Sequence, residues 1–181
     1  MSDILAHMGH TALGSRLKRA GMALQAMTQT WLEGQGCDLP SAQMPLLAAL
    51  SQTDPRTTGE LAQMLGMAQP GVSRMIDAME KGGWVVVRSG DTDRRQRLIV
   101  LSDTGQALSV RAAREFWPRV NDAAARLCDG LDGDFLSQLT QLETRLRAGD
   151  YAGLLRDDRL PGGQASRDPV SKDKVSGGQA S

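Results

Sequence analysis

Two short helices separated by a single glycine constrain the fold of this chain more than any other feature. Thr57-Thr58-Gly59-Glu60 has the spacing of a capping box, in which the threonine hydroxyl and the glutamate satisfy backbone N–H groups at a helix start. Gly66 is suited to end that helix in a left-handed conformation. A second helix begins at Ala68-Gln69-Pro70 and carries a helical repeat of apolar residues, Val72, Met75, Ile76 and Met79. Its other face is polar, so the pair predicts a helix-turn-helix.

A basic β-hairpin is predicted directly after these helices. Trp84–Val87 and Arg97–Leu101 are aromatic and β-branched, and the polar segment 88–96 between them is prone to turn. The whole chain has 21 basic and 21 acidic residues, yet the segment 81–97 is locally positive. Its basic residues are Lys81, Arg88, Arg94, Arg95 and Arg97. The positive charge therefore lies where a hairpin could meet phosphate.

Amphipathic helices flank this segment on both sides. Apolar residues recur at helical spacing from Leu13 to Trp31, and a short helix starts near Ser41. Ser102 or Asp103 can cap a long helix, in which Pro118 should cause a kink or loosen the hydrogen bonding. Two further stripes have coiled-coil-like spacing: Phe116, Val120, Ala123 and Leu127, and Phe135, Leu139, Leu142 and Leu146. This is more apolar surface than a small winged domain needs, which predicts a homodimer.

Composition argues against several classes of protein. No apolar run approaches about 18 residues, and Met1 to His10 lacks a signal-peptide pattern, so we expect a cytoplasmic protein that does not interact with membranes. Two cysteines, Cys37 and Cys128, cannot build a disulfide framework. His7-Met8-Gly9-His10 is the only metal-like spacing and lacks further ligands. No nucleophile–base pair is readable, and we expect no metal, no cofactor and no enzymatic activity.

The end of the chain has the composition of a tail. From Pro161 to Ser181 the only large aliphatic residues are two valines, and Gly162 to Ser166 recurs letter for letter at Gly177 to Ser181. Such a segment buries too little apolar surface to offset the entropy of ordering it. The sequence therefore predicts a folded domain over 1–148 and a flexible tail over 149–181.

Taken in order, these motifs resemble the MarR family of winged helix-turn-helix transcriptional regulators. The matching motifs are Leu61-Ala62, Gly66, Val72-Ser73-Arg74, Gly83-Trp84-Val85, Asp93-Arg94-Arg95 and Leu101-Ser102-Asp103-Thr104-Gly105. The resemblance runs from about residue 13 to 146. It implies a mainly α fold with a small β-hairpin wing, a DNA-binding lobe at about 41–101, and dimerisation helices at about 11–33 and 103–148. It also implies a homodimeric regulator, most simply a repressor, that binds a pseudo-palindromic operator.

Three positions depart from the family pattern. Ala68 stands where a serine or threonine commonly opens the recognition helix, and alanine cannot cap it. Val87 replaces a usual arginine, with Arg88 one place later, so the charge moves to the other side of the strand. Pro40 replaces a usual threonine before the second helix, where Ser41 is available as a substitute cap.

Groove chemistry suggests roles for the polar residues of this lobe. Gln69 and Arg74 can reach base edges in the major groove, whereas Ser73 is short and better suited to a phosphate or packing contact. Arg94 and Arg95 suit a narrow minor groove, and Asp93 should orient Arg95 or Arg74 rather than touch phosphate. The residues expected to contact DNA are Gln69, Pro70, Ser73, Arg74, Arg88, Asp93, Arg94, Arg95 and Arg97.

The resemblance also implies a small aromatic or phenolic effector, bound between the dimerisation helices and the DNA-binding lobe. Candidate effector residues are His10, Arg16, Trp31, Met44, Met64 and Trp117, each of which could instead be structural. A cysteine-based redox regulator is an alternative, with Cys37 in a polar loop beside Asp38, which would raise the pKa of its thiol. A winged domain used only for protein contact is a second alternative.

Overall fold

The computed structural model describes residues 3–52, 55–89 and 96–157, and within these ranges the chain is mainly helical. It divides into two compact units, residues 1–127 and 128–181. The domain boundaries inferred from the sequence remain predictions. Within the described ranges, no helix is long and apolar enough to cross a membrane.

The first unit opens with a long, exposed helix. A short helix α1 (Ile4–His7) and a 3-10 turn lead into α2 (Leu13–Gly34). Asp3 caps α1, and its carboxylate accepts two hydrogen bonds from Arg19, at 2.7 and 3.0 Å. Of the residues of α2, only Leu32 is buried. The predicted apolar stripe of this helix is therefore largely uncovered within this chain.

The second predicted helix starts later than expected. A 3-10 turn covers Ser41–Gln43, and α3 spans Met44–Ser51 without a side-chain cap. The prediction that Ser41 caps this helix is wrong. Its hydroxyl donates to the Gln25 carbonyl at 3.0 Å, and its N–H donates to Gln29 Oε1 at 2.6 Å. Ser41 thus ties the start of α3 to the side of α2.

The helix-turn-helix forms as predicted. Strand β1 (Arg56–Thr57) leads into α4 (Thr58–Leu65), and α5 spans Gln69–Lys81. In the capping box, Thr57 Oγ1 accepts from the Glu60 N–H at 3.3 Å, and Glu60 Oε2 accepts from the Thr57 N–H at 2.8 Å. The Thr57 N–H and the Thr57 hydroxyl, which donates to Glu60 Oε2 at 2.9 Å, hold the pKa of Glu60 below its ordinary value, because both bonds favour the carboxylate. Gly66 ends α4 with φ of +62°.

The wing is two strands of a three-stranded antiparallel sheet. Strands β2 (Val85–Ser89) and β3 (Arg97–Leu101) pair, and β1 pairs with the other edge of β3. Trp84 precedes β2 rather than opening it, and Arg88 belongs to the strand rather than to the turn. Because β1 is only two residues long, its sequence carries no alternation and it was not predicted. The hairpin tip, 90–95, lies outside the described residues.

One apolar core holds the lobe together. It contains side chains from the end of α2, from helices α3 to α5, from both wing strands and from the helical segment after the wing. The most deeply buried large side chains are Phe116, Leu32, Leu39, Leu46, Leu47, Leu61, Met79 and Ile99. The recognition helix is therefore fixed on its inner side by a continuous core.

The predicted long helix after the wing contains a π-helical turn. As expected, α6 (Asp103–Arg111) begins at Ser102, whose hydroxyl accepts from the Gly105 N–H at 3.0 Å. A π segment, Ala112–Phe116, then leads into α7 (Trp117–Cys128). The Trp117 N–H bonds five residues back, to the Ala112 carbonyl. Pro118 has no N–H to donate, and its ring would crowd the carbonyl four residues earlier. The loosened hydrogen bonding predicted at Pro118 therefore takes the form of this wider π turn.

In the part of the second unit that the structure describes, residues 128–157, two helices follow α7. Asp134 caps α8 (Phe135–Ala148), and Gly149, at φ of +81°, separates it from α9 (Asp150–Leu155). Residues 150–155 are helical, although the sequence analysis placed them in the tail; Tyr151, Leu154 and Leu155 give this stretch apolar residues that the rest of the tail lacks. The stripe of Phe135, Leu139, Leu142 and Leu146 is only partly covered. Each unit therefore presents incompletely buried apolar residues.

Candidate DNA-binding surface and ligand cavities

Helix α5 presents a polar outer face. Val72, Ile76 and Met79 are buried beneath it. Four of the predicted contact residues are exposed on the helix: Gln69, Pro70, Ser73 and Arg74. The structure thus brings these four together on one element. Arg74 forms no hydrogen bond or ion pair with any described residue, so its guanidinium is available to a ligand.

The start of α5 is uncapped, as the sequence predicts. Ala68 occupies the N-cap position and provides no side-chain hydrogen bond. An uncapped helix N-terminus carries partial positive charge and favours an anion such as phosphate. Gln69 and Pro70 lie at this end, so the exposed face combines an anion-favouring terminus with the Arg74 side chain.

Arg88 and Arg97 lie on opposite faces of the wing. Val87 pairs with Ile99 and Arg88 pairs with Leu98, and successive side chains of a strand alternate between faces. Val85 is buried and Val86 is exposed, so Arg88 shares the outer face with Val86. The structure does not bring Arg88 and Arg97 together. Asp93, Arg94 and Arg95 lie outside the described residues, and their roles remain predictions.

A close junction connects the recognition helix to α6. The Ser102 hydroxyl donates to the Gly83 carbonyl at 2.6 Å, and the Ser102 N–H donates to the Trp84 carbonyl at 3.0 Å. Gly105 packs against the same backbone. A Cβ at Gly105 would collide with the Trp84 carbonyl oxygen and come within 3.1 Å of its carbon. In the sequence, Gly105 stands out only as part of a motif. A glycine in the first turn of a helix is itself a sign of close packing, because alanine is the better helix former there.

A cavity of about 400 Å³ lies between α2, α3 and α7. Met44 and Trp117, two of the predicted effector residues, both line it. Gln25, Thr28 and Val120 also line it, and they were not among the effector residues predicted from the sequence. We call this the α3 cavity. The signal for the α2 residues was their spacing, because Gln25, Thr28 and Leu32 recur at helical intervals on one side.

A larger, groove-like cavity of about 770 Å³ lies between α2 and α7. Trp31 lines it, and the ring of Trp31 packs edge-on against Phe116, with centroids 5.7 Å apart. Its lining includes the charged residues Arg119, Asp122 and Arg126. We call this the α7 groove. His10, Arg16 and Met64, the remaining predicted effector residues, line neither space.

Cys37 is buried, contrary to the interpretation that it lies in a polar loop. Its exposed fraction is 2%, and its thiol faces the Leu39 carbonyl at 3.9 Å. Burial raises the pKa of the Cys37 thiol, because desolvation disfavours the thiolate. Asp38 acts in the same direction but is the smallest of the contributions. Among the described residues, no group of three or more His, Cys, Asp or Glu could hold a metal.

We expect Cys37 to react with a thiol reagent much more slowly than Cys128, which is partly exposed. Reaction requires a thiolate that the reagent can reach, and Cys37 has neither. The measurement is the time course of labelling by an aromatic disulfide at neutral pH. The Cys128→Ser variant should lose the fast phase and keep only a slow one that denaturant accelerates. Rapid labelling of native Cys128→Ser would contradict this.

The DNA-binding lobe is similar to a known protein family and to known regulators. The MarR family model matches residues 38–96, which run from just before α3, through the helix-turn-helix and β2, to the residue before β3. This segment therefore resembles the MarR family. An uncharacterised HTH-type transcriptional regulator from Bacillus cereus (strain ZK / E33L) is 35% identical over 78 residues, covering 43% of this chain and 51% of that protein. The HTH-type regulator YwoH from Bacillus subtilis is 38% identical over 64 residues, covering 35% and 46%. The chain therefore spans about half the length of the curated relatives it matches.

Solved MarR-family structures share the fold over most of their length. The transcriptional repressor CouR, bound to a 23-mer DNA duplex, is 29% identical, with a TM-score of 0.58 over 77% of this chain and 96% of that chain. A mutant MarR from E. coli in complex with operator DNA is 21% identical, with a TM-score of 0.61 over 80% and 99%. The curated relatives and CouR are described as transcriptional regulators, which agrees with the expectation that this chain is not an enzyme.

Proposed function

We propose that this chain is a DNA-binding transcriptional regulator of the MarR type, most simply a repressor, that acts in the cytoplasm as a homodimer. The exposed polar face of α5, with Arg74 unpaired among the described residues, carries the proposal. Arginine donates two hydrogen bonds to guanine in the major groove. The likeness to CouR, whose solved structure is bound to a DNA duplex, supports DNA binding by this chain. A domain for protein contact alone would not need this uncapped, polar helix end beside a basic hairpin.

The direct test is a titration of labelled DNA from upstream of the chain's own gene, followed by fluorescence anisotropy. Saturable binding that exceeds binding to a scrambled duplex by about 1000-fold or more is expected for specific recognition. Equal binding to both duplexes, or none to either, would overturn the proposal and favour a protein-contact role.

Small-molecule control of this binding forms the second part of the proposal. The α3 cavity adjoins both α2 and α3, so an occupant would contact the long helix and the lobe at once. Its volume lies within the range of small-molecule sites. We propose that a small aromatic effector bound there relieves DNA binding. Burial of Cys37 weakens the alternative of a redox-responsive regulator.

We expect the protein to sediment as a dimer of about twice 19.4 kDa, and Met27→Glu to shift it toward the monomer. Met27 is 71% exposed and lies on the apolar stripe of α2, so a buried charge there would oppose association. Met22→Glu is the matched control, because Met22 is 61% exposed on the opposite side of the same helix. Sedimentation equilibrium checks both variants. A wild-type monomer, or two variants that behave alike, would contradict the proposed interface.

A further inference from the structure

The α3 cavity has an uncharged lining. Seven of its eleven lining residues are apolar, including Leu24, Met44 and Trp117. The other four are Gln25, Thr28, Ser41 and Gln52. Among the described residues that form this wall, none is acidic or basic. A ligand that enters here therefore exchanges water for apolar side chains and neutral dipoles.

The two hydroxyl groups that line the cavity both donate hydrogen bonds to backbone carbonyls. Thr28 donates to the Leu24 carbonyl at 2.8 Å, and Ser41 donates to the Gln25 carbonyl at 3.0 Å. Each hydroxyl oxygen can still accept a hydrogen bond. These two residues thus offer acceptors to a ligand and no donors.

The two glutamine side chains supply the remaining hydrogen-bonding groups. Gln25 and Gln52 both line the cavity, and neither side-chain amide is engaged by another described residue. Each amide offers donors and an acceptor without carrying charge. The site can therefore satisfy a ligand that both accepts and donates, such as a carboxamide or an alcohol.

The neighbouring α7 groove has a different lining. It contains Arg119 and Arg126, and Arg126 forms an ion pair with Asp122 at 3.1 Å. Positive charge is thus available on α7, but it lines the other space. An anionic ligand in the α3 cavity would have no cation among the described residues that line it.

We propose that the α3 cavity is selective for uncharged aromatic ligands that carry an amide, carbonyl or hydroxyl group, and that it discriminates against the corresponding carboxylates. This inference rests on the proposed effector site and specifies its ligand class. A carboxylate that enters this lining gives up part of its hydration without a compensating charge, whereas a neutral amide exchanges its water hydrogen bonds for those of the two glutamines.

The test compares 2-naphthamide with 2-naphthoate, which have the same ring and nearly the same shape but differ in charge. Isothermal titration calorimetry on the full chain, without DNA, measures both. We expect the amide to bind at least about tenfold more tightly at neutral pH. Equal or tighter binding of the naphthoate, or no saturable binding of either probe, would overturn the proposal.

A variant with added charge makes the test specific to this cavity. Gln25→Lys places an ammonium in the lining and should shift the preference toward the naphthoate by about tenfold or more. Gln106→Lys is the matched control, because Gln106 is exposed on α6 and lines neither cavity. If the two variants keep the same preference as wild type, the probes bind elsewhere and the proposal fails.

These measurements are independent of the proposed DNA binding. Anisotropy with unliganded protein decides whether the chain recognises its operator, and calorimetry without DNA decides the ligand class. Loss of DNA recognition with amide-selective binding intact would overturn the regulator and leave the ligand site standing. DNA recognition without amide selectivity would overturn the ligand site alone.

Discussion

Gly105→Ala is expected to destabilise the protein by about 3 kcal/mol, a large effect for the addition of one methyl group. Overpacking a filled site typically costs about 1–3 kcal/mol. The upper end applies here because the new Cβ would meet the backbone of Trp84, which cannot rotate away as a side chain could. The collision falls where Ser102 also bonds to Gly83 and Trp84.

Gly59→Ala is the matched control for this change. Gly59 is an exposed glycine of α4, and its added Cβ would meet only the Thr57 hydroxyl, at 4.0 Å. Alanine should stabilise that helix by up to about 1 kcal/mol. Urea unfolding followed by circular dichroism measures both variants at one protein concentration. If Gly105→Ala proves as stable as Gly59→Ala, the contact between Gly105 and the Trp84 backbone is not close-packed.

Arg74→Ala is expected to weaken operator binding by about 1–3 kcal/mol and to relax the preference at one base position. The fold should survive, because Arg74 is exposed and forms no ion pair with a described residue. Arg74→Lys keeps the charge but loses the two-pronged donor geometry. It should therefore retain binding to scrambled DNA while losing operator preference. Arg114→Ala, whose side chain is 78% exposed on the π segment, is the control and should change neither quantity.

Arg95→Ala should weaken DNA binding in a different way from Arg74→Ala. Arg95 is predicted to contact phosphate or the minor groove, where binding does not depend on base identity. Its loss should weaken binding to operator and scrambled DNA alike, and lower the slope of log affinity against log salt by about one. Salt-titrated binding curves on both duplexes distinguish the two variants. Unchanged curves for Arg95→Ala would show that the hairpin is not a DNA-contacting wing.

The sequence predicted those helix ends that are fixed by hydrogen bonds between residues close in the chain. The capping box of Thr57 and Glu60, the left-handed Gly66 and the Ser102 cap depend on residues within a few positions of one another. Side-chain spacing alone specifies such features. The polar face of α5 was predictable for the same reason, because helical periodicity separates it from the buried Val72 and Ile76.

Features that depend on distant partners were not predictable from local sequence. Ser41 has the chemistry of a cap, but α2 offers it the Gln25 carbonyl and the Gln29 side chain instead. Cys37 has polar neighbours in sequence, yet the lobe packs over it. The α3 cavity combines residues of α2, α3 and α7, so only the tertiary structure shows that its lining is uncharged.

The central claim is that a pair of recognition helices reads DNA in the major groove, and footprinting of the upstream DNA tests it most directly. Hydroxyl-radical cleavage and methylation of guanine N7 should both be measured on the bound duplex. The account predicts two symmetric protected patches whose centres lie about one helical turn, or about 10 base pairs, apart, with N7 protected in each. Loss of N7 protection in the Arg74→Ala complex should follow. A single patch, or protection of the backbone without protection of N7, would contradict the account.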